Sequence, residues 1–138
     1  MTQTSIVPRQ FFAVSLASDD VAGQRRFYEA WGWQALPYSN QEYVAFQLEG
    51  AIVAFVRKAL LAEEAAPGAG TPAASGWNGV TLAVNVPARD RVDPVWRAAV
   101  GAGATAIGEP VDRPWGGRSG YVADPEGNRW EIAWVPPM

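Results

Sequence analysis

The two halves of the chain repeat one order of predicted elements, and this repeat limits the fold more than any other feature. Each half contains an apolar strand, an amphipathic helix and then three further strands. In the first half these are 10–18, 19–32, 33–39, 42–48 and 51–58, and in the second half 79–86, 88–103, 104–110, 119–124 and 128–135. A period of about 70 residues is typical of a duplicated module rather than a solenoid. A single α+β sheet with coincidental order is the alternative.

The segment between the two halves differs from both in composition. Residues 59–77 are rich in Ala, Gly and Pro and contain few bulky side chains, which predicts a flexible connector or a lid. We therefore expect one domain over residues 1–138, with modules at 9–58 and 78–136. The fold class is α+β, with two βαβββ modules forming a curved mixed sheet around a cleft.

The absence of two residue types excludes much chemistry. The chain has no Cys and no His, so disulfides, thiolate or imidazole metal ligands, cysteine nucleophiles and Ser-His triads are excluded. Its 11 basic residues are outnumbered by 14 acidic ones, which argues against nucleic acid as a partner. With no signal-peptide pattern and no apolar run of ~18 residues, we expect a cytoplasmic protein without membrane contact.

The stretches "RRFYEAWGW" (25–33) and "GYVADPEGNRWEI" (120–132), together with the two-module order, resemble the glyoxalase/bleomycin-resistance/extradiol-dioxygenase superfamily, also called vicinal oxygen chelate proteins. The resemblance covers nearly the whole chain. It implies paired βαβββ modules around a cleft and a homodimer. Enzymes of that family hold a divalent metal through one residue on the first and one on the last strand of each module.

Those four positions fall on Ala13, Ala54, Val84 and Glu131 when the halves are aligned through Gly32 with Gly103 and through Gly50 with Gly127. Only Glu131 has a metal-binding side chain, and one carboxylate cannot supply the three or four ligands that a tightly held metal needs. We therefore expect no metal and no other cofactor. The three small or apolar positions are expected to line a ligand cavity.

Glu131 is the candidate catalytic or charge-matching residue. Strand alternation places Trp130, Ile132 and Trp134 on one face, expected to be core, and Glu131 with Ala133 on the other. In an apolar cavity, desolvation would raise the pKa of a carboxyl group. The structural alternative is an ion pair with Arg118 or Arg129.

Four further residues are candidates for ligand contact. Trp115 and Arg118 flank two glycines and offer a stacking surface and a cation; Tyr121 and Trp77 complete the set. The two carboxylates of residues 124–127, Asp-Pro-Glu-Gly, instead fit a type I turn with a structural role.

Three functions remain open from the sequence. The first is metal-free binding of an aromatic or cationic small molecule in the cleft. The second is a glyoxalase-like lyase or isomerase that uses Glu131 as general acid or base, with Arg118 or Tyr121 stabilising an oxyanion. The third is an interaction module with a vestigial cleft.

Overall fold

The strands of this chain form two mixed sheets, and helices pack against them. The computed structural model describes residues 6–71 and 76–137. Their elements are β1 (Ala13–Ser18), α1 (Val21–Trp31), β2 (Tyr43–Leu48), β3 (Ala51–Arg57), α2 (Lys58–Ala65), β4 (Thr81–Asn85), α3 (Val92–Ala102), β5 (Thr105–Asp112), β6 (Arg118–Ala123) and β7 (Arg129–Trp134), with a short 3-10 turn at Arg89–Arg91. None of the described helices has the length and apolar character required to cross a membrane.

The strand order confirms the predicted α+β fold with two related modules. The first sheet has the order β1-β3-β2 and the second β4-β7-β6-β5. In each sheet the first strand of the module pairs in parallel with the last, and the remaining pairs are antiparallel. The two modules therefore share one topology, but the first sheet has one strand fewer.

The missing strand is the one predicted at 33–39. Only an isolated bridge between Ala35 and Phe46 forms there. The Leu36 amide donates to the Ala45 carbonyl at 2.8 Å, and the Ser39 amide then turns back to the Leu36 carbonyl at 3.0 Å. Pro37 lies inside this turn and has no N–H to offer to a sheet. The apolar pattern correctly predicted contact with β2, but the backbone turns away from β2 before a strand can form.

The predicted connector, 59–77, begins with a helix rather than an irregular segment. The residues of α2, Lys-Ala-Leu-Leu-Ala-Glu-Glu-Ala, are all strong helix formers, which the emphasis on Ala, Gly and Pro concealed. This helix contacts β1 and β3. Residues 72–75 of the connector lie outside the described residues.

Helix α1 lies where its sequence predicts it. The Asp20 carboxylate accepts a hydrogen bond from the Gly23 amide at 2.9 Å and so caps the first turn. Gly32 ends the helix at φ 131°, and its amide donates to the carbonyls of Tyr28 and Glu29. Such a positive φ strongly favours glycine. Between these ends, Phe27 and Tyr28 are buried in the main core.

The Asp124 carboxylate joins the second module to α1. It is 2% exposed and accepts hydrogen bonds from the Tyr28 hydroxyl at 2.6 Å and from the side-chain amide of Gln24 at 2.8 Å. The Trp130 indole N–H donates in turn to the Tyr28 hydroxyl at 2.7 Å. Burial, followed by the charge of Asp124, raises the pKa of Tyr28 well above its usual value. This chain of bonds ties β7 to the helix of the other module.

The predicted turn at 124–127 forms, and its second carboxylate is also structural. The Gly127 amide donates to the Asp124 carbonyl at 2.9 Å. The Glu126 side chain accepts from the Ser18 hydroxyl and the Asp19 amide, each at 2.7 Å, and from the Asp20 amide at 3.1 Å. A carboxylate near a helix N-terminus is stabilised by the helix dipole. Both acidic residues of this turn therefore hold the modules together.

We expect Tyr28→Phe to lower the free energy of unfolding by about 1–3 kcal/mol, because the buried Trp130 N–H loses its acceptor and Asp124 loses a donor. The exposed residue Tyr38 provides the matched control, and Tyr38→Phe should change stability by less than about 0.5 kcal/mol. Urea unfolding of the three proteins measures the difference. Equal stability of the two variants would contradict the structural role of the Tyr28 hydroxyl.

Candidate functional site

The two faces of the second sheet differ in what covers them. One face packs against the helices and carries Trp130 and Ile132, both buried in the main core. Alternation along the strands turns Ser119 and Tyr121 of β6, and Glu131 of β7, to the opposite face. We call this second surface the open face. The core assignment of Trp130 and Ile132 made from the sequence is correct.

Glu131 lies half-buried at the centre of the open face. Its neighbours across the strands are Tyr121 on β6 and Ala83 on β4. Burial first, and then the charge and hydrogen bonding of Glu131, raise the pKa of Tyr121. Among the described residues, neither Arg118 nor Arg129 forms an ion pair with Glu131. Within residues 6–71 and 76–137, the carboxylate therefore has a tyrosine neighbour but no ion-pair partner.

Arg113, which follows β5, brings a guanidinium group to this face. Its Nε donates to the Ser119 hydroxyl at 2.9 Å, and its Nη2 to the Ser119 carbonyl at 3.2 Å. Its Cζ lies 5.7 Å from the centroid of the Tyr121 ring, within the range of a cation–π contact. We refer to Arg113, Ser119, Tyr121 and Glu131 as the open-face cluster.

Arg118, predicted as the cleft cation, lies on the other side of the sheet. Its Nε and Nη2 donate to the two carboxylate oxygens of Asp93 on α3, at 2.8 and 2.9 Å, and its Nη1 donates to Asp112 at 3.3 Å. The hydrogen bonds from Arg118 lower the pKa of Asp93. Arg118 thus holds α3 on the sheet. Since Arg118 and Tyr121 are three positions apart on one strand, alternation already separates their faces.

Trp115 lies in the hairpin between β5 and β6, beside Arg113. Its side chain is half-exposed, and a Cβ added at Gly117 would overlap its ring and the Trp134 carbonyl. The Arg113 amide donates to the Gly117 carbonyl at 2.8 Å, and the Gly116 amide donates to the Arg113 carbonyl at 3.0 Å. Gly117 therefore makes room for the Trp115 ring, and one turn fixes both Trp115 and Arg113.

The structure does not bring the remaining predicted residues to this cluster. Ala13 and Ala54 lie on the first sheet, where Ala54 is buried with Ala45 and Ile52, and Ala13 packs against them. Trp77 is 59% exposed in the turn before β4, and its indole N–H donates to the Val80 carbonyl at 2.9 Å. Of the predicted contact residues, Tyr121 pairs with Glu131 across the strands, and Trp115 lies in the same hairpin turn as Arg113.

Val84 is a correction to the alignment of the two modules. It pairs with Ile132 and packs against the main core, whereas Ala83 pairs with Glu131. Val84 is one position away from the residue that pairs with Glu131, and a shift of one in a strand moves a side chain to the other face. Neither residue can bind a metal, so the corrected position adds no ligand.

The surroundings of Glu131 do not fit the family's metal. Its cross-strand neighbours are an alanine and a tyrosine. Within residues 6–71 and 76–137, no group of three or more acidic side chains is arranged to hold a metal ion. Tightly bound divalent metals take three or more protein ligands.

The members of the open-face cluster differ in exposure in the single chain. Arg113, Tyr121 and Glu131 are each partly exposed, whereas Ser119 is fully buried. Two depressions on the described surface lie elsewhere: one between residues 40–43 and Leu60, the other between residues 32–37 and 47–48.

A sequence model of the Glyoxalase/Bleomycin resistance protein/Dioxygenase superfamily matches residues 10–132. The chain belongs to this superfamily. The resemblance predicted from the sequence is therefore confirmed. The two-module topology of the chain agrees with this assignment.

Solved structures support the same fold. A glyoxalase-related enzyme from Fulvimarina pelagi is 33% identical, with a TM-score of 0.83 over 95% of this chain and 93% of that one. A lactoylglutathione lyase from Agrobacterium tumefaciens is 18% identical, with a TM-score of 0.71 over 93% of this chain and 95% of that one. The second likeness, at this low identity, is one of fold alone.

A protein of similar sequence matches a shorter stretch of the chain. An uncharacterized protein of Mycobacterium bovis is 39% identical over 62 residues, which are 45% of this chain and 39% of that protein. The match therefore spans about two fifths of the relative's length.

We expect Glu131→Gln to lower the pKa of Tyr121, because the carboxylate charge disfavours the phenolate. The pKa should stay above the usual tyrosine value, since burial is the larger cause of the shift. An alkaline titration followed by NMR of ring-labelled tyrosine measures it, with Tyr121→Phe assigning the signal. Glu64→Gln, an exposed change of equal charge on α2, should leave it unchanged. If the pKa of Tyr121 is the same in Glu131→Gln as in the natural protein, the Glu131 carboxylate does not act on the Tyr121 hydroxyl.

Proposed function

We propose that this superfamily member captures a small aromatic or cationic molecule on the open face without using a metal. The observation that carries the proposal is the Glu131 carboxylate, half-buried and with no cation against it among the described residues. A partly desolvated charge without a counter-charge favours a ligand group that supplies one. Glu131 would accept a hydrogen bond from an ammonium or hydroxyl group of the ligand.

The surroundings of Glu131 supply apolar contact. Ala83 and Ala133 are small neighbours, and the Tyr121 ring lies directly across the strands. Trp115, at 50% exposure, adds a second aromatic surface at the hairpin end. Aromatic side chains contribute large contact areas to binding and prefer offset or edge-to-face partners. Affinity would come from this burial, and orientation from Glu131.

A second function is favoured by the cross-strand pairing of Glu131 with Tyr121. Glu131 would act as general base, taking a proton next to a carbonyl group of the substrate, and the Tyr121 hydroxyl would donate to the developing oxyanion. Burial and Glu131 both raise the Tyr121 pKa, so this hydroxyl keeps its proton at neutral pH. A glyoxalase-like lyase or isomerase is the reaction class.

A homodimer in the cytoplasm is part of the same proposal. Apolar side chains exposed in the single chain, including Phe11, Phe12 and Val135, support an interface, because exposed apolar patches often mark association sites. Light scattering on the purified protein would test the dimer.

Titration of the tryptophan fluorescence with cationic aromatic amines and aromatic carbonyl compounds tests the first function. We expect saturable quenching, and a roughly tenfold weaker affinity in Glu131→Gln, because a charge-assisted hydrogen bond is lost. Glu64→Gln should bind as the natural protein does.

Two outcomes would contradict capture at this site. Equal affinity of the natural protein and Glu131→Gln would remove Glu131 from the binding site. Turnover of a carbonyl compound that disappears in Glu131→Gln and weakens in Tyr121→Phe would instead establish the lyase or isomerase function.

A further inference from the structure

We infer that Arg113 forms an anion subsite next to Glu131, and that the ligand is an aromatic carboxylate which also carries an ammonium or hydroxyl group. This inference rests on the proposed function, because it assigns the ligand class of the same open face. The sequence analysis did not single out Arg113 and placed the cation of the cleft at Arg118 instead.

The Arg113 guanidinium is fixed before any ligand arrives. Two of its nitrogens donate to the hydroxyl and the carbonyl of Ser119, and Ser119 is fully buried. The Arg113 backbone is held by the hairpin bond to the Gly117 carbonyl. A pre-organised group loses little conformational entropy on binding, which favours affinity.

The same guanidinium keeps donors for a ligand. Within the part of the chain that the structure describes, its Nη1 donates no hydrogen bond, and its bonds go only to the neutral Ser119. Arg118 and Arg89, by contrast, are paired with aspartates on the sheet and α3. A planar guanidinium edge matches the two oxygens of a carboxylate. Arg113 is therefore the arginine beside Tyr121 whose charge is left for an outside anion.

Arg113 and Glu131 both act on one tyrosine. Arg113 lies over the Tyr121 ring, whereas Glu131 pairs with Tyr121 across the strands and raises the pKa of its hydroxyl. The two charged groups form no ion pair among the described residues, although both act on the same side chain. A ligand with a carboxylate at one end and a donor at the other would satisfy both charges while its ring packs on Tyr121 or Trp115.

Three small molecules separate the two charges experimentally. Free phenylalanine carries both groups, hydrocinnamate lacks the amine, and phenethylamine lacks the carboxylate. In calorimetric titrations we expect Arg113→Gln to weaken phenylalanine and hydrocinnamate by roughly tenfold, the loss of a charge-assisted hydrogen bond. Phenethylamine affinity should not fall. Glu131→Gln should show the reverse preference, weakening phenylalanine and phenethylamine.

Matched variants guard against a change in folding. Arg97→Gln removes the same charge from the exposed surface of α3 and should bind all three probes as the natural protein does. Arg113→Lys keeps the charge without the planar fork and should give an intermediate affinity for the carboxylates. Thermal unfolding and the unchanged phenethylamine affinity together report an intact open face in Arg113→Gln.

The outcomes distinguish this inference from the function on which it rests. If Arg113→Gln binds hydrocinnamate and phenylalanine as tightly as the natural protein does, the anion subsite is wrong. If phenethylamine binding still depends on Glu131, the proposed capture function stands without it. If none of the three probes binds saturably, both are overturned.

Discussion

The buried Asp124 carboxylate is the interaction on which the rest of this structure depends. It accepts from the side chains of Gln24 and Tyr28 on α1, and from the amides of Glu126 and Asn128 in its own turn. A buried charge is tolerated only when it is fully hydrogen-bonded, so the turn and the helix must come together as one unit. β7 starts directly after this turn. The same bonds that join the modules therefore fix the register of the strand that carries Glu131.

Much of the fold could be predicted because its determinants are local. The Asp20 cap, the stop at Gly32 and the turn at 124–127 each act within a few residues, and the structure has all three. The alternation of Trp130 and Ile132 with Glu131 gave the faces of β7 correctly. Helix α2 was missed because composition was weighed above helix propensity. The turn at Pro37, which ends the contact with β2 after a single bridge, depends on backbone bonds that no periodicity reveals.

The site was harder to predict because its members come from distant positions. Glu131 and Tyr121 could be proposed from the sequence, since they stand out as polar or aromatic residues on strands. Arg113 was not, because its role depends on a hairpin that folds it back onto Ser119. Arg118 was chosen instead, although its spacing from Tyr121 places it on the helix side with Asp93. Val84 was displaced by one residue from Ala83, which shows how sensitive a strand position is to register. The superfamily's metal positions thus lead to Glu131 on the open face, where its cross-strand neighbours Ala83 and Tyr121 have no carboxylate or imidazole group.

The most direct test of the account is an NMR titration that observes all seven tryptophan indole N–H groups and the strand amides while phenylalanine is added. We predict shifts at the Trp115 indole and at the backbone amides of Tyr121 and Glu131. The indole of Trp130, which is bonded to the Tyr28 hydroxyl in the core, should not move. Shifts confined to the surface around Trp33 and Leu36, with the open face unchanged, would contradict the account and place ligand binding on the first module.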